Sequence, residues 1–247
     1  MESSIVLESG KFGEFLRCLS LLKEICNDID IREGIIRQRT TDLASIFEIN
    51  LQSILGNVDI PIVIIKQKLD LLKTFIDTEV KIDINDNEVI FSDEHSSLNI
   101  KSPDLDYMDN KFIPEDELAN VLVLNEEDLL LSVDLPKNIS DRIKTITQVF
   151  NVRNVSVDFE RENASLNSKT NSKDQSAKFL SGITTEKILD FNGSTDIVVD
   201  PFIIDCDSDI QFKIFTTNND ICFSKFSTFI SDIDINIYTR SMLVDQG

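Results

Sequence analysis

Nine basic residues sit on three helically patterned stretches of a chain whose formal net charge is −20. Lys11, Arg17 and Lys23 fall within residues 11–25; Lys66, Lys68 and Lys73 within 65–76; Lys137, Arg142 and Lys144 within 137–150. Against them stand Glu14, Glu24, Asp70 and Asp141, so these stretches carry +5 and the remainder −25. Cations gathered on helices can neutralise phosphates without reading bases. Lysine is also a good helix former on solvated faces; its recurrence on all three helices favours phosphate contact. No interleaved aromatics or glycine-rich loops accompany the cations, so neither base readout nor single-strand stacking is indicated. Acid on every other surface would repel nucleic acid and so orient the chain on a duplex.

Other chemistry is sparse. The single histidine, His95, lies in a polar turn, which argues against a histidine-based triad or a multi-histidine metal site. Cys18, Cys26, Cys206 and Cys222 show no CxxC spacing and read as buried reduced thiols. The run Asp205–Ile210 begins like a calcium loop, but Ile210 stands where glycine is required and no glutamate follows at the right distance. There is no phosphate loop and no dinucleotide fingerprint. The expectation is a protein that is not an enzyme, with no catalytic residues, no metal and no cofactor.

The elements that position the cations are legible from periodicity. With 247 residues, 41% hydrophobic and 28% charged, the chain is globular. No apolar run reaches the ~20 residues of a membrane span. No secretory leader is evident, so an intracellular protein is expected. Met1–Leu7 reads as a strand and Ser9–Ile25 as a helix burying Phe12, Phe15, Leu16, Leu19 and Leu22; Lys23 falls in that apolar sector and must snorkel or mark the helix end. Strands follow at Asp28–Arg32, Ile35–Arg39, Ser45–Leu51 and Ile60–Ile64. A second helix is predicted over Lys66–Ile76, with Leu69, Leu72 and Ile76 inward. A hairpin spans Glu79–Phe91 through Asn85-Asp86-Asn87, and Ser96–Ile100 adds a strand.

Beyond an acidic stretch, Lys101–Asn125, the pattern resumes: strand Leu129–Leu135, helix Lys137–Phe150, strand Asn154–Glu160. Ile139, Ile143, Ile146 and Phe150 form that helix's apolar face, with Lys137, Lys144 and Gln148 opposite. Ala164–Lys169, Ala177–Ile183, Asp196–Val199, Ile210–Phe215, Asp220–Phe223 and a run through Ile233, Ile235 and Ile237 are further strands. Pro201–Ile204 could make one helical turn. The two halves repeat one order, and EVKIDINDNEVIFS parallels DIQFKIFTTNNDICFS. The fold class is therefore α+β: two similar domains, each of antiparallel sheets backed by two helices, the second helix of the second domain being short. The boundaries read 1–104, a connector at 105–126, and 127–247.

This order and spacing resembles the DNA sliding clamps, the family of proliferating cell nuclear antigen and the tailed-phage polymerase clamps, with the phage type most similar. The similarity rests on helix-then-strand at Phe12–Arg32, strand–helix–hairpin at Ile60–Phe91, the connector, and Asp128–Glu160. One feature departs from it: PFIIDCDSD, where a fourth helix belongs, has no basic residue.

The resemblance implies a DNA polymerase processivity factor for DNA replication, a homotrimer closing as a ring around duplex DNA. Its partners would be the polymerase and a clamp loader, with no membrane. It implies that Arg17, Lys66, Lys73, Lys137 and Lys144 face DNA, with Lys11, Lys68 and Arg142 as further candidates. It also implies a peptide-binding pocket near Leu43, Phe112, Ile113, Tyr238, Met242 and Leu243. A composition rich in Ile, Asn, Asp and Lys is compatible with an AT-rich viral or phage genome, and then with the host cytoplasm. Two alternatives stay open: a non-ring viral-type processivity factor holding DNA by charge alone, and a β-rich structural assembly protein with no DNA role.

Overall fold

Strand β1 (Ser3–Leu7) leads into helix α1 (Ser9–Leu22), and both follow from spacing in the sequence. Phe12, Phe15, Leu16, Leu19 and Leu22 recur at three and four residues and all are buried, with Cys18 among them. Lys23 follows the last helical residue, and its N–H donates to the Leu19 carbonyl at 3.2 Å, so it marks the helix end. A computed structural model describes residues 3–23, 25–41, 43, 45–62, 65–85, 88–101, 111–122, 124–150, 154–160, 163–169, 176–178, 185–188, 193–198, 207–216 and 221–245. The chain divides into two compact units, Met1–Glu115 with Ile230–Asp234, and Asp116–Phe229 with Ile235–Gly247.

In the first unit, β2 (Ile29–Arg32) and β3 (Ile35–Arg39) turn through Glu33 and Gly34, both at positive φ (51° and 74°). That is the turn that matches strand twist. A Cβ on Gly34 would lie 2.1 Å from the Gly56 carbonyl oxygen, so only glycine fits. Strand β4 (Ser45–Asn50) pairs with β3, and β5 (Ile60–Ile62) pairs with β2, giving the order β5-β2-β3-β4. A one-turn helix, α2 (Gln52–Leu55), was not predicted by periodicity; four residues are too few to show it.

Helix α3 covers Ile65–Leu72 and tightens into a 3₁₀ turn, Lys73–Phe75. A regular helix to Ile76 would bury Ile76. The tighter turn instead aligns residues three apart, so Leu69, Leu72 and Phe75 are buried and Ile76 is 44% exposed. Strands β6 (Val80–Asn85), β7 (Glu88–Ser92) and β8 (Ser97–Lys101) complete an antiparallel sheet in the order β1-β6-β7-β8. Its core centres on Phe12, whose ring lies 6.2 Å from Phe15 and 6.4 Å from Phe91.

The acidic stretch after β8 carries a helix, α4 (Glu115–Val121), that the sequence did not announce. In the second unit, β9 (Leu129–Leu135) precedes α5 (Lys137–Phe150), then β10 (Asn154–Glu160), β11 (Asn163–Lys169), β12 (Ser176–Lys178), β13 (Thr185–Ile188) and β14 (Gly193–Val198). Strands β15 (Ile210–Thr216), β16 (Ile221–Ile230) and β17 (Ile233–Asp245) follow. The strand expected over Ala177–Ile183 is described only as β12, and β13 was not anticipated. The helical turn at Pro201–Ile204, and with it the short second helix, falls outside the described residues.

Strand order repeats between the units. The run β9-β15-β16-β17 matches β1-β6-β7-β8, and β14-β10-β11-β12 matches β5-β2-β3-β4. Phe212 and Phe226 stack at 4.5 Å on adjacent strands in the second unit. No described helix is long and apolar enough to cross a membrane.

Candidate nucleic-acid interface

The cations divide between the helix pair α1 and α3, which pack against each other, and α5 in the other unit. On α1, Arg17 lies opposite the buried phenylalanines and is exposed; Lys11 is exposed at the flank, its Nζ 3.4 Å from the Ser53 carbonyl oxygen. On α3, Lys68 is half-buried. Lys73 is exposed and paired with Asp70 at 3.2 Å. That pair is solvated and contributes little, so it does not withhold Lys73 from a phosphate. Lys66 lies in the first turn of α3, and its side chain is outside the described residues.

Helix α5 differs from its predicted orientation. Ser140 and Thr147 are buried beside Ile143, whereas Ile139 and Ile146 are only half-buried. Both hydroxyls are satisfied on their own helix, Ser140 Oγ donating to the Lys137 carbonyl and Thr147 Oγ1 to the Lys144 carbonyl, each at 2.9 Å. Satisfied hydroxyls can be buried at little cost, and the buried sector rotates towards them. Lys137 and Lys144 therefore flank the buried sector, half-exposed, rather than crowning the outer face. The outer face carries Asn138, Asp141, Arg142, Thr145 and Val149, all exposed. An amphipathic lysine can bury its stem and keep its ammonium in water.

Sequence reasoning missed what fixes the start of α5. Asp209 Oδ1 accepts the Lys137 backbone N–H at 2.9 Å, from 72 residues away. The Pro136 carbonyl accepts from Ile139 N at 2.8 Å and from Ser140 N at 3.2 Å, placing Pro136 at the cap position. The acidic PFIIDCDSD segment thus contributes a carboxylate to the positive end of this helix, where a negative charge is favoured.

The residues assigned to partner binding differ in exposure. Leu43 is 71% exposed at positive φ (61°), and Met242 is 60% exposed. Tyr238 is buried, with Lys225 Nζ 5.9 Å from its ring. Leu243 continues β17, with its side chain outside the described residues. Ile113 is buried, and its N–H donates to the Arg37 carbonyl at 2.8 Å. Phe112 is half-buried, with the Arg32 and Arg37 guanidiniums 5.2 and 6.0 Å from its ring. Neither Phe112 nor Ile113 is presented to solvent as an open pocket wall. A surface cavity elsewhere in the first unit, bordered by Val6, Lys81, Asp93 and His95, includes none of these residues.

Among the described thiols, Cys18, Cys26 and Cys222 are buried and in no disulfide, and burial, with Glu14 adding to it, pushes the Cys18 pKa up to about 12; Cys206 lies outside the described residues. Arg37 is equally withheld, since it is buried in an ion pair with Glu48.

No protein-family model matches the chain, and no curated protein sequence does. Solved structures do match it along almost its whole length. The Entamoeba histolytica proliferating cell nuclear antigen aligns with a TM-score of 0.62 at 12% identity, over 96% of this chain and 98% of that one. The A. fulgidus PCNA, bound there to the C-terminal region of FEN-1, aligns with a TM-score of 0.61 at 11% identity, over 97% of each chain. A chain of the PCNA2–PCNA3 complex of Sulfolobus tokodaii aligns with a TM-score of 0.60 at 10% identity, over 98% and 99%. The chain has the sliding-clamp fold.

Proposed function

We propose that this protein is a DNA sliding clamp that encircles duplex DNA and tethers a DNA polymerase. The observation that carries the reading is the sliding-clamp fold along nearly the whole chain, on which an acidic protein gathers cations along α1, α3 and α5, while α4 is acidic and α2 uncharged. Its two halves act as similar domains joined by the connector. Arg17, Lys66, Lys73, Lys137 and Lys144 make weak, exchangeable phosphate contacts, with Lys11, Lys68 and Arg142 adding to them. Such contacts hold no sequence register, so the ring slides. The tethered polymerase re-engages at high effective concentration instead of diffusing away. No catalysis and no cofactor belong to the clamp itself; loading falls to a separate loader.

Ring closure needs two different strand edges meeting head to tail. Strand β8 ends the first unit's four-stranded sheet, and β12 ends the strand run of the second; neither has a further partner among the described strands. We assign the subunit contact to this pair and three copies to the ring. One structural neighbour carries a segment of FEN-1, which supports a peptide site on the present chain; Leu43 is the exposed candidate of the first unit and Met242 that of the second.

The test is retention on circular primed DNA in the presence of a loader. The wild type should stay bound in high salt and run off when the circle is cut. A chain that dissociates equally from circular and cut DNA is not a topological clamp. Lys137→Glu with Lys144→Glu should lower loading or processivity about tenfold while leaving the thermal midpoint in place; unchanged processivity would remove α5 from the DNA face. Equilibrium sedimentation should give a trimer, and a monomer at micromolar concentration would sink the ring.

A further inference from the structure

Strands β2 and β3 are paired only at Ile31↔Ile36 and Arg32↔Ile35. Beyond that point they part. The next backbone groups of β2 that face β3 are met by a side chain: Asp30 N donates to Gln38 Oε1 at 3.0 Å, and Gln38 Nε2 donates to the Asp28 carbonyl at 2.7 Å. Gln38 is 3% exposed, so its amide replaces a stretch of sheet inside the protein. The backbone of β3 freed in this way is taken up by the connector. Ile113 N donates to the Arg37 carbonyl, and Phe112 forms an antiparallel bridge with Gln38.

Each of the three connector residues has its own receptor. Lys111 Nζ lies 2.5 Å from Asp28 Oδ2, on a carboxylate only 7% exposed. Phe112 has two guanidiniums over its ring, of which Arg32 is held by Asp30 at 2.8 Å and Arg37 by Glu48. Ile113 is 4% exposed. The receptor is complete in the first unit, its strands staying paired at one end while the parted end holds an extended basic–aromatic–aliphatic segment.

We propose that the parted end of β2 and β3 is an intramolecular docking site and that Lys111–Phe112–Ile113 is a releasable latch in it, giving the connector a docked and an undocked state. Release does not require unfolding, because Gln38 continues to satisfy the β2 backbone when the connector leaves. The ion pair is the contact that sets the balance. Lys111 brings its ammonium to the largely buried Asp28 carboxylate only in the docked state, so removing it takes away an attraction made in that state alone and weakens docking. The latch stands on the first unit alone and does not depend on the ring.

Hydrogen exchange on the full chain, resolved to the Ile113 amide, tests it. In the wild type, Ile113 should exchange through a local opening whose rate is flat from 0 to about 1 M urea, while the β6 and β7 amides track urea. Lys111→Met should speed Ile113 exchange by about tenfold or more and leave β6 and β7 unchanged. Raising salt from about 0.05 to 0.5 M should speed Ile113 exchange in the wild type and not in Lys111→Met. If Ile113 follows β6 and β7 through the urea series, there is no separate latch; this arm needs no variant and survives a Lys111→Met chain that fails to fold. An Ile113 rate unaltered by Lys111→Met in a folded chain also overturns the proposal.

Discussion

At the scale of single residues, the first unit depends most on Phe12, which is fully buried between Phe15 and Phe91. Phe12→Ala removes that volume from a close-packed core and should cost about 3–5 kcal/mol, read as a fall in the urea midpoint at unchanged slope. Two carboxylates report on pH. Asp93 accepts the His95 N–H at 2.8 Å and the Ser96 N–H at 2.7 Å, and these bonds hold its pKa below the ordinary value. The hydrogen bond from Lys81 does the same for Asp83, assisted by Ser4. A folded pKa below the unfolded one gives a contribution present above the unfolded value, about 3.9. That contribution is lost as pH falls through the lower folded value. Their contribution to stability should therefore be flat near neutrality and decline below about pH 4, and a carboxyl NMR titration should place both midpoints below that of a free aspartate. A midpoint at or above the free value for either residue would contradict its hydrogen bonds.

At the scale of elements, α5 shows what distance along the chain contributes. Asp209→Ala deletes its cap and should cost about 1 kcal/mol, with faster amide exchange in the first turn of α5 and none at its end. Much of this chain was legible because its elements are amphipathic. The phenylalanines of α1, the alternation of β6 and the hairpin that follows each state their period locally. What was not legible depends on partners that no window contains. The Asp209 cap arrives from 72 residues downstream. The rotation of α5 follows from two hydroxyls satisfied within the helix, which a hydrophobic count scores as polar and outward. The displaced inner face of α3 follows from a change of helix type at Lys73. Gln38 would be read from sequence as an ordinary polar residue of a half-buried strand, yet it replaces main chain. Among the cations, position on a helix was predictable, but the half-burial of Lys68, Lys137 and Lys144 was not, because it depends on the surface beside each stem.

At the scale of the whole molecule, the charge division makes salt the informative variable. A ring held on DNA by its topology should lose sliding friction with added salt and keep its residence on closed circles; a charge-held monomer should lose residence instead. The repeated strand order has a further consequence, one of timing during synthesis. Each sheet's first strand waits for a neighbour made much later: Leu7 meets Val80, 73 positions on, and in the second sheet Val133 meets Thr185 of β13, 52 positions on, before β15 is made. At about 5–20 residues per second, a ribosome leaves each opening strand without a neighbour for about 3–15 s. A fragment ending at Thr78 should accordingly be cut by protease within β1, while one ending at Ser92 should protect it. Each half of the chain therefore passes through its own interval of exposure, and the second begins after the first sheet's strands have all been made.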